Sequence, residues 1–156
     1  MSEASRELTA YHEAGHAVIA LVLGRPIHRV TILADKDQLG SCAFGKPVFR
    51  PSEDWLEREA LIALAGLAAE ARFSGVYELQ GAARDRRYVS TLALQRTGDE
   101  RKAERLERRL LAKTENLLAQ EENWSAVERI AAELLRVGTL SGRAARHLFT
   151  EACRQS

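Results

Sequence analysis

Apolar residues surround almost the whole circumference of the first long segment, residues 8–24. It reads Leu8-Thr-Ala-Tyr-His-Glu-Ala-Gly-His-Ala-Val-Ile-Ala-Leu-Val-Leu-Gly24. A helix that is apolar on nearly every side is typical of a protein interior rather than of a surface. Gly24 and Pro26 then predict where this helix ends. The pattern therefore predicts a buried helix close to the start of the chain.

Two short β-strands are predicted to follow this helix. β-Branched residues dominate residues 27–33, and their alternation places His28, Val30 and Ile32 on one face. A charged turn leads to a second candidate strand over residues 39–44. Because two strands alone make a weak sheet, we expect helices to cover them.

The rest of the pattern predicts five further helices, recognised by their start and stop signals. Three of the starts are capping residues, and the other two are marked by a glycine. The expected starts are Ser52, Gly81, the residues after Gly98, either Asn123 or Ser125, and Ser141. The helix that starts at Ser52 is expected to end at Gly75. The sequence thus predicts an α+β fold that is predominantly α-helical, with a small two-stranded β element and a C-terminal helical bundle.

Length and charge narrow the class of protein. A chain of 156 residues that is 46% hydrophobic is long enough to bury one core, and we expect one domain over residues 1–156. Its 23 basic and 22 acidic residues nearly cancel, so no strong field attracts phosphate backbones or anionic lipids. We therefore expect neither a nucleic-acid partner nor a membrane partner.

Cysteine usage and the apolar runs favour a cytoplasmic protein. Cys42 and Cys153 are the two cysteines, and two unclustered cysteines fit neither a disulfide scaffold nor a thiolate zinc site. The longest apolar run, residues 17–23, is far short of a bilayer span, and the chain does not open with a secretory leader. We expect a soluble protein in a reducing cytoplasm.

The candidate chemistry lies in the first helix, at His12, Glu13 and His16. Two histidines four residues apart point the same way from a helix and can converge on one metal ion. The glutamate that follows the first histidine can act on a water molecule beside that ion. This zincin-like HExxH helix predicts a catalytic Zn²⁺ site. The alternative is two buried histidines that only make hydrogen bonds.

Catalytic zinc usually takes three protein ligands, so a third ligand is expected. His28 and His147 lie in a predicted strand and in the last predicted helix without supporting context, which favours a carboxylate. Glu70 lies on an apolar helix face, where a buried charge needs a partner. Asp85 lies near the start of the third helix, where local sequence favours a simple interaction with the helix N-terminus.

At these residues the chain resembles the peptidase domain of the FtsH family, ATP-dependent zinc proteases of bacterial and organellar membranes. The segment Thr9-Ala-Tyr-His-Glu-Ala-Gly-His-Ala-Val18 is similar to that family's zinc helix, and residues 26–32 resemble the strand that follows. Residues 64–75 resemble its helix bearing a glycine and an acid, and Gly81-Ala-Ala-Arg-Asp85 resembles the segment with the third zinc ligand. Residues 124–142 resemble its closing helices.

The resemblance implies roles for the individual residues. It implies that His12, His16 and Asp85 bind Zn²⁺, that Glu13 is the catalytic base, and that Glu70 orients a ligand imidazole. For Glu70, a structural ion pair is equally compatible with the sequence. The implied function is a zinc-dependent endopeptidase acting on unfolded or extended polypeptides.

Departures from the family affect the expected partners and activity. The chain has no phosphate-binding Gly-Lys-Ser/Thr loop, Arg84 precedes Asp85 where the family has an asparagine, and the region after the third helix is shortened. We therefore expect a separate ATPase or a homo-oligomer as a partner. The alternative function is a zinc-stabilised binding or regulatory module without proteolysis. Within the single domain, residues 1–98 form the expected zinc-site part and residues 99–156 the C-terminal helices.

Overall fold

The computed structural model describes residues 2–34, 40–45, 54–78 and 82–155. These ranges contain six helices and three short strands. In chain order the elements are α1 (Glu3–Val22), β1 (Ile27–Thr31), β2 (Ser41–Phe44), α2 (Trp55–Ser74), α3 (Ala83–Thr97), α4 (Glu100–Ala119), α5 (Glu121–Val137), β3 (Thr139–Ser141) and α6 (Gly142–Arg154). The predominantly helical α+β fold predicted from the sequence is confirmed.

Helix α1 lies at the centre of the molecule. Its residues from Ala10 to Ala20 are almost all buried, and it packs against α2 on one side and α5 on the other. The helix begins earlier than its apolar stretch, at Glu3, because the Ser2 side chain caps it by accepting a hydrogen bond from the Ser5 amide at 3.1 Å. The predicted buried helix is thus confirmed, with an additional polar turn at its start.

The sheet has three antiparallel strands in the order β2-β1-β3, rather than the expected two. The third strand pairs Leu140 with Val30 and Thr139 with Thr31. Three residues are too few to show an alternating pattern, which is why the sequence did not reveal β3. The sheet joins the N-terminal part of the chain to its C-terminal part.

One face of β1 differs from the prediction. Val30 and Ile32 are buried as expected, whereas His28 is exposed. The pairing register with β2 shifts between Ile27 and Arg29. An irregularity of this kind breaks the strict alternation of side chains, so the residue before it does not share the buried face.

Helices α2 and α3 both end at a glycine, and Gly75 is the end predicted for α2. The expected N-cap Ser52 lies outside the described residues. Helix α2 instead starts after Asp54, whose carboxylate accepts a hydrogen bond from the Glu57 amide at 3.0 Å. Gly81, the expected entry to α3, also lies outside them. Gly75 and Gly98 end α2 and α3 in the left-handed conformation that favours glycine.

The start of α5 corrects another prediction. Helix α5 begins at Glu121, so neither Asn123 nor Ser125 is its N-cap. The Asn123 side chain is buried and donates to the Leu117 carbonyl at the end of α4. Ser141 caps α6 as predicted, accepting the Ala144 amide at 3.0 Å. None of the described helices has the length and apolar character needed to cross a lipid bilayer.

Candidate metal centre

Close contact between α1 and α2 positions the residues of the centre. A Cβ atom on Gly15 would lie 2.5 Å from the Ala65 carbonyl oxygen, so only glycine lets the two helices approach to this distance. On the same stretch of α1, His12, Glu13 and His16 offer ligand atoms that all lie within 4.8 Å of one another. Helix α2 therefore packs directly beside the potential metal ligands.

Three ligand atoms converge on a triangle of nearly equal sides. The Nε2 atoms of His12 and His16 are 3.1 Å apart, and Asp85 Oδ2 lies 3.2 Å from each. Tetrahedral zinc ligands bind at about 2.0–2.1 Å, which places neighbouring ligand atoms about 3.3 Å from each other. We call these three atoms the ligand triangle. Its size matches one face of a tetrahedral zinc site.

The outer nitrogens of both imidazoles are held by fixed acceptors. His12 Nδ1 donates to Glu70 Oε2 at 3.0 Å, and His16 Nδ1 donates to the Ile62 carbonyl at 2.7 Å. A proton on each Nδ1 leaves the Nε2 lone pair of a neutral imidazole free for a metal. Two lone pairs and a carboxylate that face one another at this distance repel each other, and a cation between them turns the repulsion into attraction. The donor set therefore fits Zn²⁺.

The pKa values of both histidines are raised, so their surroundings favour a positive charge. Burial lowers the pKa of His12, but the hydrogen bonds to Asp85 and Glu70 outweigh it and raise that pKa from 6.5 to about 10. His16 has a raised pKa for a similar reason, with Asp85 overcoming its burial. Burial would raise the pKa of Asp85, yet the two histidines hold it well below its usual range.

Glu13 is a buried carboxylate beside the triangle. Its side chain is only 6% exposed, and among the described residues its Oε2 atom has no hydrogen-bond partner. Burial raises the pKa of Glu13, although the neighbouring histidines counteract this. Gly40, directly before β2, lies against it, since a Cβ on Gly40 would lie 3.2 Å from Glu13 Cγ. An unpaired buried oxygen here fits a role toward a ligand of the site.

Gly66 was not identified from the sequence as a contributor to the site. A Cβ atom there would lie 2.4 Å from His16 Nε2 and 2.6 Å from His12 Nε2. The signal that could have revealed it is a glycine inside an alanine-rich helix, one turn before Glu70. The carbonyl of Ile62 was missed as well, because backbone groups leave no trace in a sequence pattern.

The ligand triangle opens into a cleft of about 950 Å³. One wall is strand β2, which lies at the edge of the sheet, and the other walls come from α1, α2 and α3. Arg84 lines this cleft next to Asp85, as do Cys42 and Tyr88. The cleft therefore brings residues of an edge strand close to the ligand triangle.

The sequence-predicted residues separate into two groups. The structure brings together His12, Glu13, His16, Glu70 and Asp85, although 73 positions separate His12 from Asp85. The two other histidines lie elsewhere: His28 is exposed on β1 and His147 is exposed on α6, 3.5 Å from Glu151. Neither is among the described residues that line the cleft.

A helix carrying two histidines and a glutamate at this spacing, with a distant aspartate completing the triangle, defines the zinc metallopeptidase class of sites. The sequence model of peptidase family M41 matches residues 1–97. The chain belongs to peptidase family M41.

Curated relatives agree with this assignment. The ATP-dependent zinc metalloprotease FtsH of Synechococcus sp. (strain JA-2-3B'a(2-13)) is 38% identical over 104 residues, which cover 60% of this chain and 16% of the relative. A chloroplastic FTSH of Medicago sativa is 33% identical over 107 residues, covering 61% of this chain and 14% of the relative. FtsH 2 of Methylacidiphilum infernorum (isolate V4) is 55% identical over 42 residues, covering 26% and 7%. The chain thus corresponds to a small part of each relative.

Proposed function

We propose that the protein is a zinc-dependent endopeptidase in which His12, His16 and Asp85 bind the metal. The ligand triangle, with sides of 3.1–3.2 Å, is the observation that carries this proposal. When bound, zinc supplies a Lewis acid that lowers the pKa of a water molecule toward neutrality and polarises a peptide carbonyl.

In this mechanism Glu13 is the general base. Its unpaired Oε2 atom accepts a proton from the attacking water and passes it to the departing amine nitrogen. A carboxylate whose pKa is raised by burial is suited to both steps. It is a stronger proton acceptor than an exposed carboxylate, and it can still release the proton to the amine. Glu70 and the Ile62 carbonyl hold the His12 and His16 rings in the orientation that binding requires.

The substrate in this proposal is an unfolded or extended polypeptide. Strand β2 pairs with β1 on one side and lies at the edge of the described sheet, and Ser41 to Phe44 all line the cleft. A peptide added beside β2 would form backbone hydrogen bonds that do not depend on its sequence. Folded substrates would require unfolding, for which we propose a separate ATPase subunit, in keeping with the ATP-dependent relatives.

The first experiment changes Glu13 to Gln. We expect Glu13→Gln to retain one zinc ion per chain and to lose cleavage of an unstructured protein such as casein by roughly a hundredfold or more, because proton transfer is removed and the ligands are kept. Zinc content by elemental analysis and the rate of casein cleavage provide the two readouts. The matched control is Glu133→Gln on α5, a residue that does not line the cleft. Full activity in Glu13→Gln would contradict the assigned base.

The second experiment tests the third ligand. We expect Asp85→Ala to weaken zinc binding strongly, and Glu70→Gln to weaken it by roughly ten- to a hundredfold, as is usual for groups that hold a ligand histidine. Competition with a chromogenic chelator measures both affinities. Unchanged zinc affinity in Asp85→Ala would show that another group completes the site.

The alternative function, a zinc-stabilised binding or regulatory module, gives a different result in the same assays. In that case wild-type protein would bind zinc but cleave neither casein nor short peptides, with or without an added ATPase subunit. The buried and unpaired position of Glu13 supports the peptidase instead, since a purely structural zinc site has no use for a base.

A further inference from the structure

The first half of α4 carries a concentration of basic residues on its exposed side. Arg101, Lys102, Arg105, Arg108 and Arg109 are all exposed, and their spacings of three and four residues place them on one side of the helix. We call these five residues the α4 basic face. The match to peptidase family M41 ends at residue 97, before α4 begins. None of the five is among the described residues that line the cleft, so the face lies apart from the proposed metal centre.

The charges of the α4 basic face are not compensated within the part of the chain that the structure describes. There, none of its five side chains makes a hydrogen bond or an ion pair. Other exposed cations do find acids, since Lys113 on the same helix lies 3.0 Å from a carboxylate oxygen of Glu57. The neighbouring acid Glu107 accepts a hydrogen bond from Ser90 on α3 instead. The positive charge of the face is therefore directed to the surroundings of the molecule.

This arrangement is unfavourable for the helix itself. Arg105 lies four residues from both Arg101 and Arg109, a spacing at which like charges repel each other and destabilise a helix. Lys102 and Arg108, three residues away from Arg105, add to this repulsion. Arg101 and Lys102 also lie in the first turn of α4, where the positive end of the helix dipole disfavours cations. Helix stability therefore does not explain the face, whereas binding of an anion would.

The charge of the rest of the chain indicates the size of that anion. The chain has 23 Lys and Arg against 22 Asp and Glu, and without the five residues of the face the basic count is 18. A long duplex nucleic acid or an anionic bilayer would extend over this net negative remainder and be repelled. A short acidic segment would contact the face alone. Four of the five residues are arginines, whose guanidinium groups bind carboxylates through two parallel hydrogen bonds.

We propose that the α4 basic face is a docking site for a short acidic segment of a partner protein. Side chains four residues apart on a helix are about 6 Å from each other. A helical segment with an acid at every fourth position would therefore match the row formed by Arg101, Arg105 and Arg109. This inference goes beyond the proposed peptidase function and does not depend on it, because the face lies outside the cleft.

The experiment measures binding of a fluorescein-labelled, alanine-rich peptide of roughly 20 residues with Glu at every fourth position. It is titrated into zinc-loaded Glu13→Gln, in which the proposed base is absent, with anisotropy as the readout. We expect binding to weaken roughly tenfold or more when Gln replaces each Glu of the peptide, and equally in the added variant Arg105→Glu/Arg109→Glu, because charge-assisted hydrogen bonds are lost. The matched control, Arg143→Glu/Arg146→Glu on the exposed side of α6, changes the net charge equally and should bind within about twofold of the parent.

Three results would overturn the docking site. One is an equal loss of binding in the α4 and α6 variants, which would show that only net charge matters. Another is tighter binding of a 20-base-pair DNA duplex or of phosphatidylserine vesicles than of the Glu peptide, since the partner would then be a different polyanion. The third is a clear fall in the thermal unfolding temperature of Arg105→Gln/Arg109→Gln. We expect that temperature to stay equal or rise, because neutralisation removes repulsion between like charges.

Discussion

At the scale of single residues, Gly66 determines how closely the two histidines of α1 approach α2. The nearest Nε2 atom would be 2.4 Å from a Cβ at this position, well inside van der Waals contact. The added methyl would occupy the space toward which both imidazoles point. A glycine inside a helix costs about 1 kcal/mol relative to alanine, so its presence here is explained by the space that the two imidazoles need rather than by helix stability.

We therefore predict that Gly66→Ala abolishes tight zinc binding while the metal-free protein keeps its stability. The imidazoles can rotate away from the methyl, and alanine favours the helix, whereas the ligand triangle cannot re-form. Zinc titration and thermal unfolding in chelator measure the two effects. Wild-type zinc affinity in this variant would contradict the prediction.

The contrasting variant is Gly15→Ala. There a Cβ would meet the Ala65 backbone oxygen at 2.5 Å and the Ala69 Cβ at 2.6 Å. Neither atom can move without separating α1 from α2, so we expect a clear loss of stability even without metal, on the order of 1–3 kcal/mol for overpacking. Thermal unfolding in chelator should distinguish the two glycines.

At the scale of elements, the start of α2 is tied to the end of α3. Asp54 caps α2 and also receives two hydrogen bonds from Arg96 in the last turn of α3, at 2.5 and 2.7 Å. Because α3 carries Asp85, this connection helps fix the helix that brings the third proposed ligand to α1. The hydrogen bonds from Arg96 lower the pKa of Asp54 from 3.8 to about 2.

The lowered pKa predicts how acid affects stability. The Asp54–Arg96 pair contributes fully above pH 3.8, and its contribution is lost as the pH falls toward about 2, where the folded protein takes up the proton. In Asp54→Asn the cap is kept, because asparagine also caps helices well, but this part of the pH dependence disappears. Urea unfolding of metal-free protein across this window checks the prediction, with Asp99→Asn at the α4 cap as control.

Sequence reasoning succeeded for elements with strong local signals. The apolar segment around His12 predicted α1, Gly75 predicted the end of α2, and Ser141 predicted the start of α6. It failed where contacts between distant parts of the chain determine the local structure. Strand β3 exists because Leu140 pairs with Val30, which lies far away in the sequence. The Asn123 side chain donates a hydrogen bond to a carbonyl at the end of α4 and does not cap the start of α5.

The candidate site shows the same limit. Spacing alone indicated His12, Glu13 and His16, since one helix holds them. Local sequence favoured a helix-terminal role for Asp85, and only the family resemblance suggested that it meets the histidines. Its distance of 3.2 Å from both imidazoles depends on how α3 packs, which no pattern within residues 81–97 encodes.

At the scale of the whole molecule, we propose that residues 1–98 and 99–156 form a single folding unit. Strand β3 pairs with β1, α5 packs on α1, and α4 packs on α2. The Tyr11 ring on α1 lies 5.8 Å from the Trp124 ring on α5. Both parts of the chain are therefore needed to keep the buried residues of α1 away from water.

This proposal predicts that a fragment of residues 1–98 does not fold by itself, although it contains every proposed zinc ligand. Without α4, α5 and β3, the apolar faces of α1 and α2 and one side of β1 would be open to water. We expect no cooperative unfolding transition by circular dichroism, and recovery of zinc binding when residues 99–156 are added. A fragment that unfolds cooperatively and binds zinc would refute the single unit.

The position of β3 beside β1 also affects how the protein is made. On the ribosome, all the proposed metal-binding side chains leave the exit tunnel before residues 139–141, which complete the sheet. Until those residues emerge, the nascent chain keeps one side of β1 unpaired, and its central helix lacks full cover. The proposed metal centre therefore reaches its final geometry only after residues 139–141 have emerged, although all of its own side chains are made earlier.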